Sequence, residues 1–275
     1  MMQTVLAQLV SSYNPTGPDT HGTRVMWPQG ANTSVYLDLN RFSRQTAWAH
    51  GFMHTYALWL GPVLLALVFV AVYAMAWWKG ATRAAALLVL GGIGTLVALG
   101  FNLIIAHAAR ELRPYAVHPH VLVLVPKAND YAFPSDHSVV AGGLTFSVLL
   151  VLGGELWGRR QQMAHALAEA TPRRPGLPPG VRALVVANVV FGLLLCFARV
   201  YVGAHYPGDV VAGYVLSSAV VVAFTLLRPF AYSVVDAVEP TVLGVVFRRP
   251  ALGRAGPSAA PGPPAHSAPS VPSRP

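Results

Sequence analysis

Five stretches of the chain, 56–78, 84–106, 138–154, 183–198 and 210–227, hold no Asp, Glu, Lys or Arg. At about 1.5 Å per residue, 56–78 reaches roughly 34 Å as a helix, enough for a hydrocarbon layer of about 30 Å. It ends in Trp77, Trp78 and Lys79, which read as an interfacial anchor. The second run carries Gly91, Gly92, Gly94 and Gly100, small residues that let helices approach closely. The third is followed by Trp157 and Arg159, and the fifth stops at Arg228-Pro229. The fourth is short and is expected to gain length from its flanks. Burying five such runs in a soluble protein would need a very large core, so they are predicted to span a membrane. The first begins near residue 56, which is not where a signal peptide lies.

The flanks are mixed. Residues 11–34 are rich in Pro, Gly, Asn and Thr and read as loop. Residues 37–54 set Leu39, Phe42, Trp48 and Phe52 against Arg41, Arg44 and Gln45. That pattern predicts either a helix lying at the interface or the polar start of the first long helix. Residues 230–247 are apolar but interrupted by Asp236, Glu239 and Pro240, and predict an interfacial helix or a poor sixth span. From 250 to 275 the chain is largely Pro, Ala, Ser and Gly and is expected to be disordered. The predicted organisation is a polar segment 1–36, a membrane-embedded domain 37–249 and a tail 250–275. The fold class is all-α: a polytopic membrane helix bundle with five firm transmembrane helices and a sixth embedded or interfacial helix.

Composition agrees with this and overrides the two domains that 275 residues would suggest. Hydrophobic residues make up 54% and charged residues 11%, where soluble domains sit near a quarter charged. Mean hydropathy is +0.51. The single cysteine, Cys196, excludes an intrachain disulfide and a Cys-only metal cluster. A net charge of +9 on a soluble chain would suggest nucleic acid. Here the basic residues fall in the connections; no nucleic acid is expected, and no partner protein is inferable. Lys79 and Arg83 lie between spans one and two, and Arg159, Arg160, Arg173, Arg174 and Arg182 between three and four. Arg228, Arg248, Arg249 and Arg254 follow span five. This bias assigns those three regions to the cytoplasm. The N-terminal segment and the two–three and four–five connections then face outward.

The outward connections carry the candidate chemistry. One opens with Arg110-Glu111-Leu112-Arg113-Pro114-Tyr115 and closes with Phe133-Pro134-Ser135-Asp136-His137. The other reads Arg199-Val200-Tyr201-Val202-Gly203-Ala204-His205-Tyr206-Pro207-Gly208-Asp209. Arg113 and Arg199 offer fork-shaped donors suited to phosphate oxygens. Ser135 stands at a helix start, where backbone N–H groups also favour an anion. His205 and Asp209 are four apart and share a face if a helix begins there. A carboxylate bonded to one ring nitrogen would fix the tautomer and leave the other nitrogen to attack. His137 is a second imidazole, placed to protonate a leaving oxygen. Together these residues point to phosphoryl transfer to His205 followed by hydrolysis. A metal site of His137, His205 and Asp209 is the other option, opposed by the fixed positive charge of the arginines.

These segments resemble the PAP2 family, the type 2 phosphatidic acid phosphatase superfamily, over roughly residues 50–228. Its signature is a Lys, six residues, then Arg-Pro; Pro-Ser-Gly-His; and Ser-Arg, five residues, His, three residues, Asp. Arg113-Pro114, then Pro134, Ser135 and His137, then Arg199, His205 and Asp209 match in order and spacing. The resemblance implies His205 as nucleophile, Asp209 as its orienting acid, His137 as general acid, and Arg113, Arg199 and Ser135 as phosphate-binding residues. It implies no metal or other cofactor, and usually six membrane helices. Three positions depart from the pattern: Ala106 where the lysine would fall, Asp136 for the glycine and Ala198 for the serine. His107, Arg110 or Lys127 would have to supply the missing charge, and Asp136 calls for an arginine or lysine to answer it.

Phe133-Pro134-Ser135-Asp136-His137 and the stretch from Asn102 to His107 look like bacterial undecaprenyl-diphosphate phosphatases of this family. That likeness implies a polyprenyl diphosphate substrate and an active site on the extracytoplasmic face of the inner membrane, serving carrier recycling for peptidoglycan. Phosphatidic acid, phosphatidylglycerol phosphate or another prenyl phosphate are alternative substrates. A transporter or scaffold that kept a phosphate pocket is the non-enzymatic alternative.

Overall fold

The computed structural model describes residues 29–166, 180–238, 240 and 241. The polar stretch 11–28, Arg173 and Arg174, residues 242–249 and the tail 250–275 lie outside the described residues.

The first helix, α1 (Gln29–Gln45), was expected only in part. Residues 29–34, read as loop, belong to it. Its Tyr36, Asn40 and Ser43 are buried at helical spacing on one face. The helix stops at Thr46, whose hydroxyl donates to the Phe42 carbonyl at 2.9 Å. The stretch 37–54 is therefore divided. Residues 37–45 close α1, and 47–54 form the polar start of the first long helix, α2 (Ala47–Trp78). Within α2 the backbone widens to a π-turn over Tyr56–Leu60. Pro62 stands two residues beyond it, and lacking an N–H it cannot continue a regular ladder.

Next come α3 (Thr82–Ala109), a single turn α4 (Pro114–Val117) and α5 (Asp136–Ala166). The fourth apolar run gains length from both flanks, as expected, and becomes α6 (Val181–Tyr201). The fifth becomes α7 (Pro207–Phe224), which passes through a 3-10 turn, Thr225–Leu227, into α8 (Arg228–Val238). Among the described residues five helices are long and apolar enough to cross a membrane, with α7 and α8 together making the fifth. Trp59, Leu67, Leu96, Val186 and Val215 point outward from the bundle. Such an apolar outer surface suits lipid rather than water.

The helix α5 sits at the centre, packed against α2, α3, α6 and α7. Close approach depends on glycine here. A Cβ on Gly142 would collide with the Tyr214 backbone carbonyl of α7, which has no flexible end to give way. Gly142→Leu is accordingly expected to destabilise the bundle by about 1–3 kcal/mol or more. A lowered thermal midpoint in detergent would show this, beside Gly153→Ala, where an added Cβ meets nothing within 4 Å.

The connections sort to two ends. The Arg83 guanidinium at the start of α3 lies 5.2 Å from the Tyr232 ring centroid of α8, so the one–two connection and the C-terminal helix share one end. At the other end α1 lies across the connections. Asn40 donates to the Leu122 carbonyl at 2.8 Å and accepts the Leu122 N–H at 3.0 Å. The Tyr36 hydroxyl donates to the Gly203 carbonyl at 3.3 Å, and Asn32 Oδ1 accepts the Gly208 N–H at 2.9 Å.

Candidate active site

Four helix ends meet beneath α1: the C-termini of α3 and α6 and the N-termini of α5 and α7. His205 lies between α6 and α7 in a tight turn made possible by Gly203, whose φ is +80°. A side chain at Gly203 would also collide with the Leu122 carbonyl. The α3–α5 and α6–α7 connections are joined at this point, where the Leu124 N–H reaches the Val202 carbonyl at 3.0 Å.

The His205 ring is buried, and its two nitrogens have different surroundings. Nδ1 lies 2.9 Å from the Ala132 carbonyl oxygen. A carbonyl only accepts, so Nδ1 carries the proton and Nε2 keeps its lone pair. At Nε2 stand two guanidinium groups, Arg113 Nη1 at 3.1 Å and Arg199 Nη2 at 3.2 Å. Burial first, then Arg113, Arg199 and His137, hold the His205 pKa well below the usual imidazole value of 6.5. The ring is neutral at pH 7.

Asp209 takes a different place from the one expected. Its Oδ2 lies 3.6 Å from His205 Nδ1, beyond hydrogen-bond length. That oxygen instead accepts the Tyr206 N–H at 2.9 Å and closes the N-terminus of α7. The orienting hydrogen bond of His205 thus comes from a backbone carbonyl, and Asp209 is a fully buried carboxyl group 3.6 Å from the ring. Beside it, burial and then Asp209 and Glu111 push the Tyr206 phenol above its usual range.

The remaining motif residues gather around this pair. Ser135 is fully buried, and its backbone N–H donates to the Asp209 carbonyl at 3.1 Å, tying the start of α5 to that of α7. Its hydroxyl has no hydrogen-bond partner among the described residues. The preceding Phe133–Pro134 peptide is cis. His137 is half-buried in the first turn of α5. Asp136 beside it accepts a hydrogen bond from the Asn102 amide of α3, and the charges of Arg113 and Arg199 also act on it, as the expected answering arginine requires.

The auxiliary candidates are not hydrogen-bonded to the cluster. His107 is exposed, with Nδ1 2.8 Å from the Leu103 carbonyl of its own helix. Arg110, exposed and left-handed at φ 51°, donates to the His107 carbonyl at 3.3 Å. Lys127 lies over the Tyr115 ring at 5.9 Å from its centroid.

Sequence reasoning missed two participants. Asp130 forms a two-point ion pair with Arg113, at 2.5 Å to Nε and 2.9 Å to Nη2. It is a loop aspartate at no telling spacing. Ala132 contributes only its carbonyl, which no side-chain pattern reveals. Among the described residues no group of three or more His, Cys, Asp or Glu is arranged to hold a metal ion. The arrangement that is present, a neutral imidazole with its free lone pair between two guanidinium groups, suits attack on an anionic phosphorus centre.

Over 186 residues, 66% of this chain and 78% of the relative, the chain is 31% identical to the undecaprenyl-diphosphatase BcrC of Bacillus subtilis. Over 126 residues, 46% of this chain and 48% of the relative, it is 25% identical to an undecaprenyl-diphosphatase of Sulfolobus acidocaldarius. No solved structure matches it. Residues 83–233, which run from the start of α3 into α8 and hold every motif residue above, match the PAP2 superfamily. With that match added to a multi-pass helix bundle and its buried histidine–arginine cluster, the chain belongs to the PAP2 superfamily of membrane phosphatases.

Proposed function

We propose that this protein removes the terminal phosphate of undecaprenyl diphosphate, without a metal, through a phosphohistidine on His205. The observation that carries the reading is the division of labour on the His205 ring: Nδ1 held by the Ala132 carbonyl, Nε2 between Arg113 and Arg199. In the first step the Nε2 lone pair forms a bond to the terminal phosphorus as its bond to the bridging oxygen breaks. Arg113 and Arg199, with the Ser135 hydroxyl, stabilise the charge on the transferring oxygens. His137 protonates the departing lipid monophosphate and then takes a proton from the attacking water. Water breaks the P–N bond and releases inorganic phosphate. As the ring becomes cationic, the Asp209 carboxylate 3.6 Å from Nδ1 offsets the new charge.

The substrate is inferred from the two relatives, both named for undecaprenyl diphosphate hydrolysis. The distribution of Lys and Arg supports a site on the extracytoplasmic face of a bacterial inner membrane. The test is phosphate release by detergent-purified protein in EDTA, on undecaprenyl diphosphate beside phosphatidic acid and phosphatidylglycerol phosphate. Release from undecaprenyl diphosphate at the highest kcat/KM is expected. Preference for a glycerol-based lipid phosphate would replace the substrate and keep the chemistry, and loss of activity in EDTA would overturn the metal-free mechanism.

A further inference from the structure

Asp130 lies outside every motif above, in the connection between α4 and α5, yet it makes the firmest contact in the cluster. Its two oxygens meet Nε and Nη2 of Arg113 at 2.5 and 2.9 Å, a paired geometry in which charge and direction reinforce one another. The Arg113 side chain is 8% exposed and that of Asp130 52%, so a loop carboxylate reaches inward to grip a buried guanidinium. A guanidinium is planar, and fixing one edge fixes the opposite corner. That corner is Nη1, which stands 3.2 Å from the Ala204 carbonyl and 3.1 Å from His205 Nε2.

The same piece of chain also reaches the far side of the histidine. Two residues beyond Asp130, the Ala132 carbonyl holds His205 Nδ1 at 2.9 Å. The Ala132 N–H is itself held by the Glu111 carbonyl at 2.8 Å, two residues before Arg113. Residues 130–132 therefore touch the reacting pair from both sides, through a side chain on the arginine and a backbone oxygen on the ring. We infer that Asp130 is a positioning residue for Arg113, and that residues 130–132 form a clamp setting the guanidinium against the nucleophilic ring nitrogen. The inference rests on the phosphoryl-transfer reading of the site.

A rival role has the opposite sign. A carboxylate on an arginine also competes with an incoming phosphate for the same donors. As a competitor, Asp130 would weaken anion binding, and its removal would tighten it. The geometry favours positioning because the corner facing His205 is the one Asp130 leaves free.

The experiment compares wild type, Asp130→Asn and Asp130→Glu in two assays: steady-state phosphate release from undecaprenyl diphosphate, and orthovanadate affinity read by thermal shift. Vanadate imitates the transferring phosphoryl group and does not depend on the lipid. Asp130→Asn is nearly isosteric and half-exposed; thermal midpoints check folding, and Asp130→Glu serves if the Asn variant does not purify folded. Positioning predicts a kcat lowered about tenfold to a hundredfold in Asp130→Asn, KM within about threefold, and vanadate bound more weakly. Asp130→Glu, which restores the charge, should recover part of the loss. Unchanged kcat and vanadate affinity, or tighter vanadate binding with lower KM, overturns the inference and leaves the proposed function standing. Wild type that binds vanadate but releases no phosphate from undecaprenyl diphosphate sinks the substrate reading, and the vanadate series then decides Asp130 by itself. Wild type that does neither overturns both.

Discussion

His205→Ala is expected to abolish phosphate release from undecaprenyl diphosphate, lowering kcat by at least about 10⁴-fold, the order seen when a covalent nucleophile is deleted. Nε2 is the atom both arginines address. Acid-labile phosphate should be trapped on wild type in rapid-quench experiments with labelled substrate and be absent from the variant. Residual turnover within tenfold of wild type would mean that the phosphoryl group goes directly to water. The same residue gives the pH dependence its sign. Burial and the two guanidinium groups keep the ring neutral below 6.5, so the acid limb that His205 sets on kcat/KM should lie below that value. Stability follows the same direction. The unfolded chain takes up the proton more readily, so this contribution is complete above pH 6.5 and is lost as pH falls below it.

The second large effect is expected at Arg199. Removing a donor aimed at developing oxyanion charge costs about 10²–10³ in kcat, and Arg199→Ala should fall in that range. Arg199→Lys should rescue little. The guanidinium reaches His205 Nε2 through Nη2 at 3.2 Å and the Ala57 carbonyl of α2 through Nη1 at 3.4 Å, a span that a single ammonium cannot cover. Arg199→Ala should also raise the acid limb, since one of the charges holding His205 neutral is gone. Full activity in the lysine variant would show that only net charge matters at this position.

What the sequence made legible follows the physics of each feature. Lipid imposes its demand on continuous stretches of side chains, so the five apolar runs were readable without tertiary information. The gathering of Arg113, Ser135, His137, Arg199, His205 and Asp209 at one end followed from counting crossings. Less could be read where partners are local and polar. The start of α1 is written in Gly, Asn, Thr and Ser, residues that serve loops equally well, and its helicity comes from packing Tyr36 and Asn40 onto the connections beneath. Asp136 looked like an unanswered charge because Asn102, which bonds it, and Arg113 and Arg199, whose charges act on it, all lie elsewhere along the chain. Asp209 looked like the hydrogen-bond partner of His205 because four residues is a helical spacing. The turn before Pro207 instead turns the imidazole toward Ala132 and leaves the carboxylate on the Tyr206 N–H.

The contact between His205 and the Ala132 carbonyl has a consequence for heredity. A point mutation exchanges a side chain, and every amino acid brings the same carbonyl. No single codon change can delete this acceptor; only a shift in the path of the chain can move it away. The tautomer of His205 is thus fixed by a group that genetic drift cannot remove residue by residue. Proline apart, which would remove the N–H given to the Glu111 carbonyl, a poor substitution at 132 acts through the space around a fully buried methyl group. A saturation scan of this protein would therefore report tolerance to shape at residue 132 and pass over its part in the chemistry.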